Sequence, residues 1–497
     1  MLRRHFVPPR NDGNGLIMDA VSSLSYFIPE LILIGTAFAV LLLDLFIQNK
    51  KLIGVLSLTG LTASAFFLRY PSEPLRLFFG FFVLDPFSFF FKVIALGITA
   101  TALLASLAYQ PKTREGEPVS FSYIGEYCAL FLFLGLGLIL MGSSSNLLMI
   151  FLSIEFVSIL SYILVGFLKK NPFSKEAALK YLLFGSVSSG VMLFGMSFLY
   201  GITGQIDLSL IHTRLQELPG SGGLVLASLV FIMVGLGFKI SMAPFHMWAP
   251  DVYEGAPTPF TAFLTVGPKA LGFAVLLRVL HTTFFELQSE WGYLIAALSM
   301  LTMTIGNVVA ISQTNIKRLL GYSSIAQAGY ILMGLAVSNQ TGVTGILIYL
   351  MAYALTNLGA FFCVIAASNH SGSDQIESYA GLSQKSPFIA FAFTLFLLSL
   401  AGIPPLGGFI GKYFVFASAI EGGFYTLAVV AAVNSAVAAF YYFKIVRQMY
   451  LVPASDALPI PRSVTLLILV FITLAGTVLI GLLPAPFIEF VQKALIL

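Results

Sequence analysis

Apolar residues in this chain come in runs of about twenty, the length an α-helix needs to cross a hydrocarbon core of roughly 30 Å. Fourteen runs are legible, at residues 25–47, 52–70, 86–109, 122–142, 146–168, 176–201, 223–247, 258–281, 291–312, 317–338, 342–368, 386–420, 424–446 and 463–490. The pattern predicts an all-α, polytopic membrane protein of about fourteen transmembrane helices. Two runs are interrupted. In the seventh, VGLGFKISMAPFHMWAPDVYEGAPTP, an apolar helix meets Lys239 and then Pro244. Proline lacks an amide donor and clashes with the preceding turn, so a break is expected there. In the twelfth, GIPPLGG at residues 402–408 divides a run too long for one straight helix into two half-helices. Membrane helices break only where protein or a water-filled cavity satisfies the freed backbone groups.

The two breaks stand five spans apart. Interrupted segments at matching places point to an inverted repeat with a working site near the midplane. The expected organisation is a tail at 1–24, spans 1–3 at 25–121, a first five-helix unit at 122–285 and a second at 286–450. Residues 451–497 carry span 14 and the C-terminus. Direct similarity between the units is weak, so this division rests on the breaks and the lysines.

Composition removes most function classes. Of 497 residues, 58% are hydrophobic and 10% charged, which leaves no soluble domain to hold a nucleotide. The formal net charge is +4 and the basic residues are scattered, which argues against a nucleic-acid partner. Cys128 and Cys363 lie in separate apolar runs and form no metal or iron–sulfur spacing. The first twenty residues lack an apolar core and do not read as a secretory signal; Met18 is an alternative start. Thirteen Lys and Arg fall in the loops after odd-numbered spans and eight on the other side. The lysine-rich side is therefore expected to be cytoplasmic, with both termini facing outward.

Five lysines remain at membrane depth: Lys92, Lys180, Lys239, Lys269 and Lys412. A charge at the bilayer centre costs roughly 3 kcal/mol on insertion scales, so such residues mark pathways by default. Glu155 is the one acid at the middle of a span. Lys239, about 24 Å along its helix, reaches a comparable depth, and the two can pair if spans 5 and 7 are neighbours. Buried lysines give up protons more readily than lysines in water, and a row of them can pass protons through intervening water. Two readings stand side by side: a relay through Glu155, Lys239, Lys269 and Lys412, or static ion pairs pinning the bundle. Lys180, one or two turns inside span 6, either joins the row or snorkels to the surface. His246 either links the two halves or caps helix-end carbonyls. Glu126 is a proton uptake or release group or an interfacial carboxylate. Lys92 has no visible partner and is expected to snorkel. Glycines such as Gly185, Gly195 and Gly235 are expected to serve close helix packing.

These residues resemble a known family. Glu155, KYLLFG around Lys180, GFKISMAPFHMWAPDVYEGAPTPFTAF, VGPKA around Lys269, NIKRLLGYSSIAQAGY and AGIPPLGGFIGKYFVF look like the antiporter-like membrane subunits of respiratory complex I. The branch they most resemble is subunit N of the bacterial NADH–quinone oxidoreductase, called subunit 2 in chloroplasts and cyanobacteria. The resemblance covers spans 4–13 at least. It implies a membrane-arm subunit that translocates protons. NADH, FMN, Fe–S clusters and quinone would be handled by other subunits, and none by this chain. The implied partners are a neighbouring antiporter-like subunit and small membrane subunits. By motif, Glu155 and Lys239 would be the acid–lysine pair of one half-channel, Lys269 the central lysine and Lys412 the lysine of the outward half-channel. Lys180 would be the extra lysine of span 6. A lysine at position 412 is similar to subunit N; relatives with glutamate there include subunit M and sodium/proton antiporter subunits. The absence of a long lateral helix after span 14 sets the chain apart from subunit L. One departure is Gln327, in SSIAQAGY, where many relatives carry histidine; glutamine cannot titrate, which leaves it a water-bridging role.

Three other readings compete. A subunit of a multi-subunit cation/proton antiporter would share the fold without electron chemistry. A solute transporter working alone would need a polar cavity between the repeats, which scattered single charges do not supply. A passive scaffold would be indifferent to loss of Lys239.

Overall fold

The computed structural model describes residues 16–110, 123–217, 222–454 and 463–495. Arg3, Arg4, Arg10, Lys112, Arg114 and Arg462, which entered the charge count, lie outside the described residues. Nearly everything else is helix. In chain order the helices are α1 (Ala20–Leu24), α2 (Ile28–Asp44), α3 (Lys50–Phe66), α4 (Pro86–Leu107), α5 (Ile124–Ser143), α6 (Leu147–Val165) and α7 (Pro172–Thr203). Next come α8 (Leu208–Glu217), α9 (Gly222–Ile240), α10 (Ala249–Gly255), α11 (Thr258–Thr283), α12 (Gln288–Ile311), α13 (Ile316–Val337) and α14 (Gln340–Ser371). The last are α15 (Leu382–Lys385), α16 (Pro387–Ala401), α17 (Gly407–Glu421), α18 (Tyr425–Leu451), α19 (Val464–Leu482) and α20 (Pro484–Gln492).

Local chemistry sets these boundaries. Asn146, Asn171, Asn315 and Asn339 each cap a helix by accepting from backbone amides of its first turn. Asp85 and Ser88 close a reciprocal capping box at the start of α4. Proline opens α4, α7, α16 and α20, where its missing N–H costs nothing.

Among the described residues, eleven helices are long and apolar enough to cross a membrane. The count of fourteen spans differs for reasons of length. Helices α2 and α3 have 17 residues each, and the twelfth run forms two helices of 15. The fourteenth run is also shorter than expected: it stops at Leu482 and turns at Pro484 into the separate helix α20. A small sheet, β1 (Leu16–Ile17), β2 (Leu75–Leu77) and β3 (Phe82–Leu84), covers one end of the bundle, β1 parallel and β3 antiparallel to β2.

Helix α11 is the axis of the fold. Its entire apolar window is buried, and it touches α4, α5, α9, α13 and α14. Helix α13 is almost as enclosed. Close approach of α7 and α9 depends on Gly195 and Gly235, where an added β-carbon would meet Ser228 O at 2.8 Å and Met192 Cβ at 2.6 Å.

Both breaks are present and share one construction. Ser241 and Gly402 take the left-handed conformation, with φ of 59° and 88°. The next amide reaches back five residues, Met242 N to Gly237 O at 2.8 Å and Ile403 N to Leu398 O at 3.0 Å. These are Schellman-type helix ends. Each is followed by a cis-proline, Pro244 and Pro405. Helix α9 thus stops at Ile240, directly after Lys239 and ahead of Pro244, so the left-handed residue rather than the proline ends it.

Candidate functional site

Lys239 lies on the last turn of α9 and is buried. Its Nζ donates to Ser158 Oγ at 2.8 Å on α6, and to Ile154 O at 3.5 Å. Glu155 sits three residues from Ser158 on the same helix, one turn away on the same face. Its carboxylate is held by the Ser189 hydroxyl of α7. Spans 5 and 7 are thus in contact through these side chains, but Glu155 and Lys239 make no ion pair within 4 Å. Two serines satisfy the groups that sequence reasoning joined directly.

Lys269 follows Pro268, and α11 runs straight through the proline. The Lys269 side chain leaves α11 altogether and donates to Ser324 O (3.0 Å) and Ser324 Oγ (2.5 Å) of α13. Tyr353 of α14 donates to the same Ser324 hydroxyl at 2.9 Å. The Tyr253 ring lies 5.8 Å from the Lys269 ammonium. The Tyr253 hydroxyl stands beside Ser241 and Ser324 without closing a hydrogen bond to either. The Ser241 hydroxyl and His246 Nδ1 are likewise buried without a hydrogen-bond partner. Buried polar groups are normally paired, and these three, all in the segment from Ser241 to Tyr253, are exceptions.

Lys412 stands on α17 but reaches back across the second break. Its Nζ donates to Ala401 O, the end of α16, at 2.8 Å and to Ser435 Oγ of α18 at 2.9 Å. The ring of Tyr330 lies 4.5 Å from it. Between Lys269 and Lys412, α13 presents Ser323, Ser324 and Gln327. Ser323 shares a hydrogen bond with Tyr442 at 2.5 Å, Gln327 Nε2 donates to Leu400 O at 2.9 Å, and Tyr349 donates to Gln327 Oε1.

Lys239, Lys269 and Lys412 therefore share one pattern. Each is buried, each donates only to hydroxyls and carbonyls, and none has a carboxylate within 4 Å. A neutral acceptor keeps its hydrogen bond whether the lysine is charged or not, because the amine remains a donor. Such a site can change protonation state without being taken apart.

Lys180 differs. Its side chain is 38% exposed and ion-paired with Glu176 and Asp251, at 2.8 and 2.7 Å. Asp251 is shared with Arg318, which also contacts Glu254 at 3.2 Å. This cluster ties α7, α10 and α13 together at the edge of the bundle. Glu126 is exposed.

Lys92 corrects the expectation of snorkelling. It is 3% exposed and paired at 2.6 Å with Glu30, which is 1% exposed, on α2. Glu30 is 62 residues from Lys92 in the chain, so the pairing left no local signal. Two cations counted as loop residues are also buried. Arg278 makes a two-pronged contact with Asp85, and Lys317 donates to Ala256 O at 2.8 Å. Among the described residues no group of three or more His, Cys, Asp or Glu is placed to hold a metal ion.

Broken membrane helices packed around buried lysines define a multi-pass membrane protein. Comparison with known proteins narrows this. The family model for NADH:quinone oxidoreductase/Mrp antiporter, TM, matches residues 144–438, and the chain belongs to that family. It is 40% identical over 487 residues to NADH-quinone oxidoreductase subunit N of Dehalococcoides mccartyi, covering 95% of this chain and 99% of that one. It is 42% identical over 427 residues to NAD(P)H-quinone oxidoreductase subunit 2 of Synechococcus elongatus, covering 85% and 80%. A chain of respiratory complex I from Thermus thermophilus with bound Aureothin superposes with a TM-score of 0.78 at 32% identity, covering 93% of this chain and 98% of that one. A chain of the Mrp complex from Dietzia sp. superposes with a TM-score of 0.80 at 19% identity, covering 95% and 97%, a likeness of fold.

Proposed function

We propose that this chain is a proton-translocating membrane subunit of a quinone oxidoreductase, of the subunit N type. It moves protons through its interior while other subunits carry NADH, FMN, Fe–S clusters and quinone. The observation that carries the reading is the buried row Lys239, Lys269 and Lys412, each bonded only to neutral acceptors and joined across helices by Ser158, Ser324 and the end of α16.

Glu155 and Lys239 act as one half-channel, with Ser189 and Ser158 as their hydrogen-bonding neighbours. His246 and Lys269 form the centre, and Lys412 the second half-channel. Lys180 belongs to the surface ion-pair cluster at one mouth. The matching construction of the two breaks supports the division into five-helix units at 122–285 and 286–450. Membrane-arm subunits of the same complex are the partners, and the setting is a bacterial inner membrane with both termini outside. The relatives named subunit N, similar over almost the whole chain, favour this over a cation/proton antiporter subunit. The test is proton pumping in vesicles by the assembled complex carrying Glu155→Ala or Lys239→Ala. Quinone reduction with loss of pumping is expected. Normal stoichiometry in both variants refutes the proposal.

A further inference from the structure

Helix α16 ends inside the protein, and a helix end leaves its last four carbonyls without intrahelical donors. Here all four are occupied. Leu398 O accepts from the amides of Gly402 and Ile403, at 3.1 and 3.0 Å, and Ser399 O from Gly402 at 2.9 Å. Ala401 O accepts from Lys412 Nζ at 2.8 Å and Ser435 Oγ at 3.2 Å. Leu400 O, the remaining one, accepts from Gln327 Nε2 at 2.9 Å. Gln327, from α13, and Lys412, from α17, thus hold adjacent carbonyls of one helix end.

The Gln327 amide is fully engaged. Nε2 donates to Leu400 O and to the Tyr442 hydroxyl (3.3 Å), and Oε1 accepts from Tyr349. The side chain is buried, and an amide has one donating and one accepting end, so this set of partners admits a single orientation. An amide also stays neutral across the working pH range. It cannot store a proton, but it can hold a carbonyl in place.

We propose that Gln327 is a positioning residue for Lys412. By pinning the Leu400 carbonyl it fixes the end of α16 and keeps the Ala401 carbonyl aimed at the Lys412 ammonium. The inference rests on Lys412 being part of the proton path.

The groups around Lys412 are few. Tyr330 faces it from α13, and Tyr349 of α14 lies against Gly411, its chain neighbour. Tyr441 and Tyr442 are the titratable residues on the adjoining part of α18, and α16 and α19 carry none. No charged group pairs with it.

The experiment uses the assembled complex in proteoliposomes, with quinone reduction and proton pumping followed across neutral pH. Gln327→Leu removes both donors and the acceptor at similar volume. Quinone reduction is expected to persist while the pH of half-maximal pumping moves by about one unit, a tenfold change in proton occupancy. Gln327→His retains a donor for Leu400 O and is expected to keep the wild-type profile. A wild-type profile in Gln327→Leu, or equal displacement in both variants, overturns the proposal. Should Gln327→Leu fail to assemble, Tyr349→Phe removes only the donor to Oε1. A smaller displacement then supports the proposal, and an unchanged profile overturns it. Lys412→Ala in the same preparation separates the two readings. If it pumps normally, the proton path itself is wrong. If it does not pump while Gln327→Leu behaves as wild type, only the positioning role falls.

Discussion

Gly402→Ala tests the geometry of the second break most directly. Gly402 closes α16 with φ of +88°, and a β-carbon there would stand 2.6 Å from Lys412 Cδ and 3.3 Å from its Cε and Nζ. Two costs follow. A left-handed L-residue costs about 1–2 kcal/mol. The lysine stem must also swing away, which breaks the Nζ bonds to Ala401 O and Ser435 Oγ. Hydrogen bonds from a charged donor are worth about 1.5–3 kcal/mol each. The second cost exceeds the first, and it falls on the proposed proton path rather than on the fold. Ser241 holds the corresponding place in the first break with a β-carbon, so the backbone shape by itself accommodates one. Gly423→Ala supplies the control, since Gly423 has φ of +77° and no atom within 4 Å of the added carbon. Both variants are to be assembled into the complex and assayed in proteoliposomes for protons pumped per quinone reduced. Gly423→Ala is expected to pump as wild type, and Gly402→Ala to reduce quinone while pumping at least about tenfold less, the loss set by the weaker of the two bonds alone. Equal behaviour of the two variants, in either direction, refutes the reasoning.

Three further outcomes are expected. Breaking the Glu30–Lys92 pair with Glu30→Leu or Lys92→Met alone leaves a buried charge and costs about 3–5 kcal/mol, whereas the double substitution recovers most of it; thermal unfolding of the solubilised protein checks this, and additive losses contradict it. Lys180→Ala is expected to reduce pumping far less than Lys239→Ala, because Lys180 is partly exposed and paired with two carboxylates; equal losses would return it to the proton path. Asp207 lies outside the membrane spans, between α7 and α8. Its burial opposes ionisation, but Arg76, the Ser209 hydroxyl and the Leu210 amide outweigh that and hold the carboxyl below its ordinary value. Its contribution to stability is therefore complete above the unfolded carboxylate value of about 3.9 and is lost as pH falls through the lower folded value. Asp207→Asn should lower Tm at neutral pH and flatten the acid limb of Tm against pH; an unchanged acid limb contradicts the assignment.

Some of this protein is written locally along the chain. Helix positions follow from runs of apolar residues bounded by Asn, Ser, Asp and Pro, because caps and proline act within one turn. Both breaks are equally local, being set by GIPPLGG and by the residues after Lys239. The rarity of charge in an apolar chain singles out Lys239, Lys269 and Lys412, since an unpaired lysine in hydrocarbon is too costly to be incidental. Partners are another matter. Serines recur along the chain, so nothing in the sequence marks Ser158, Ser189, Ser324 or Ser435 as the ones that meet a lysine or Glu155. Lys92 looked solitary because Glu30 belongs to another helix. Lys412 follows its break in the chain, yet it bonds to the helix that precedes the break. Those pairings depend on how helices distant in sequence lie against one another, and packing alone, through α11 and α13 at the centre, brings them within hydrogen-bonding reach.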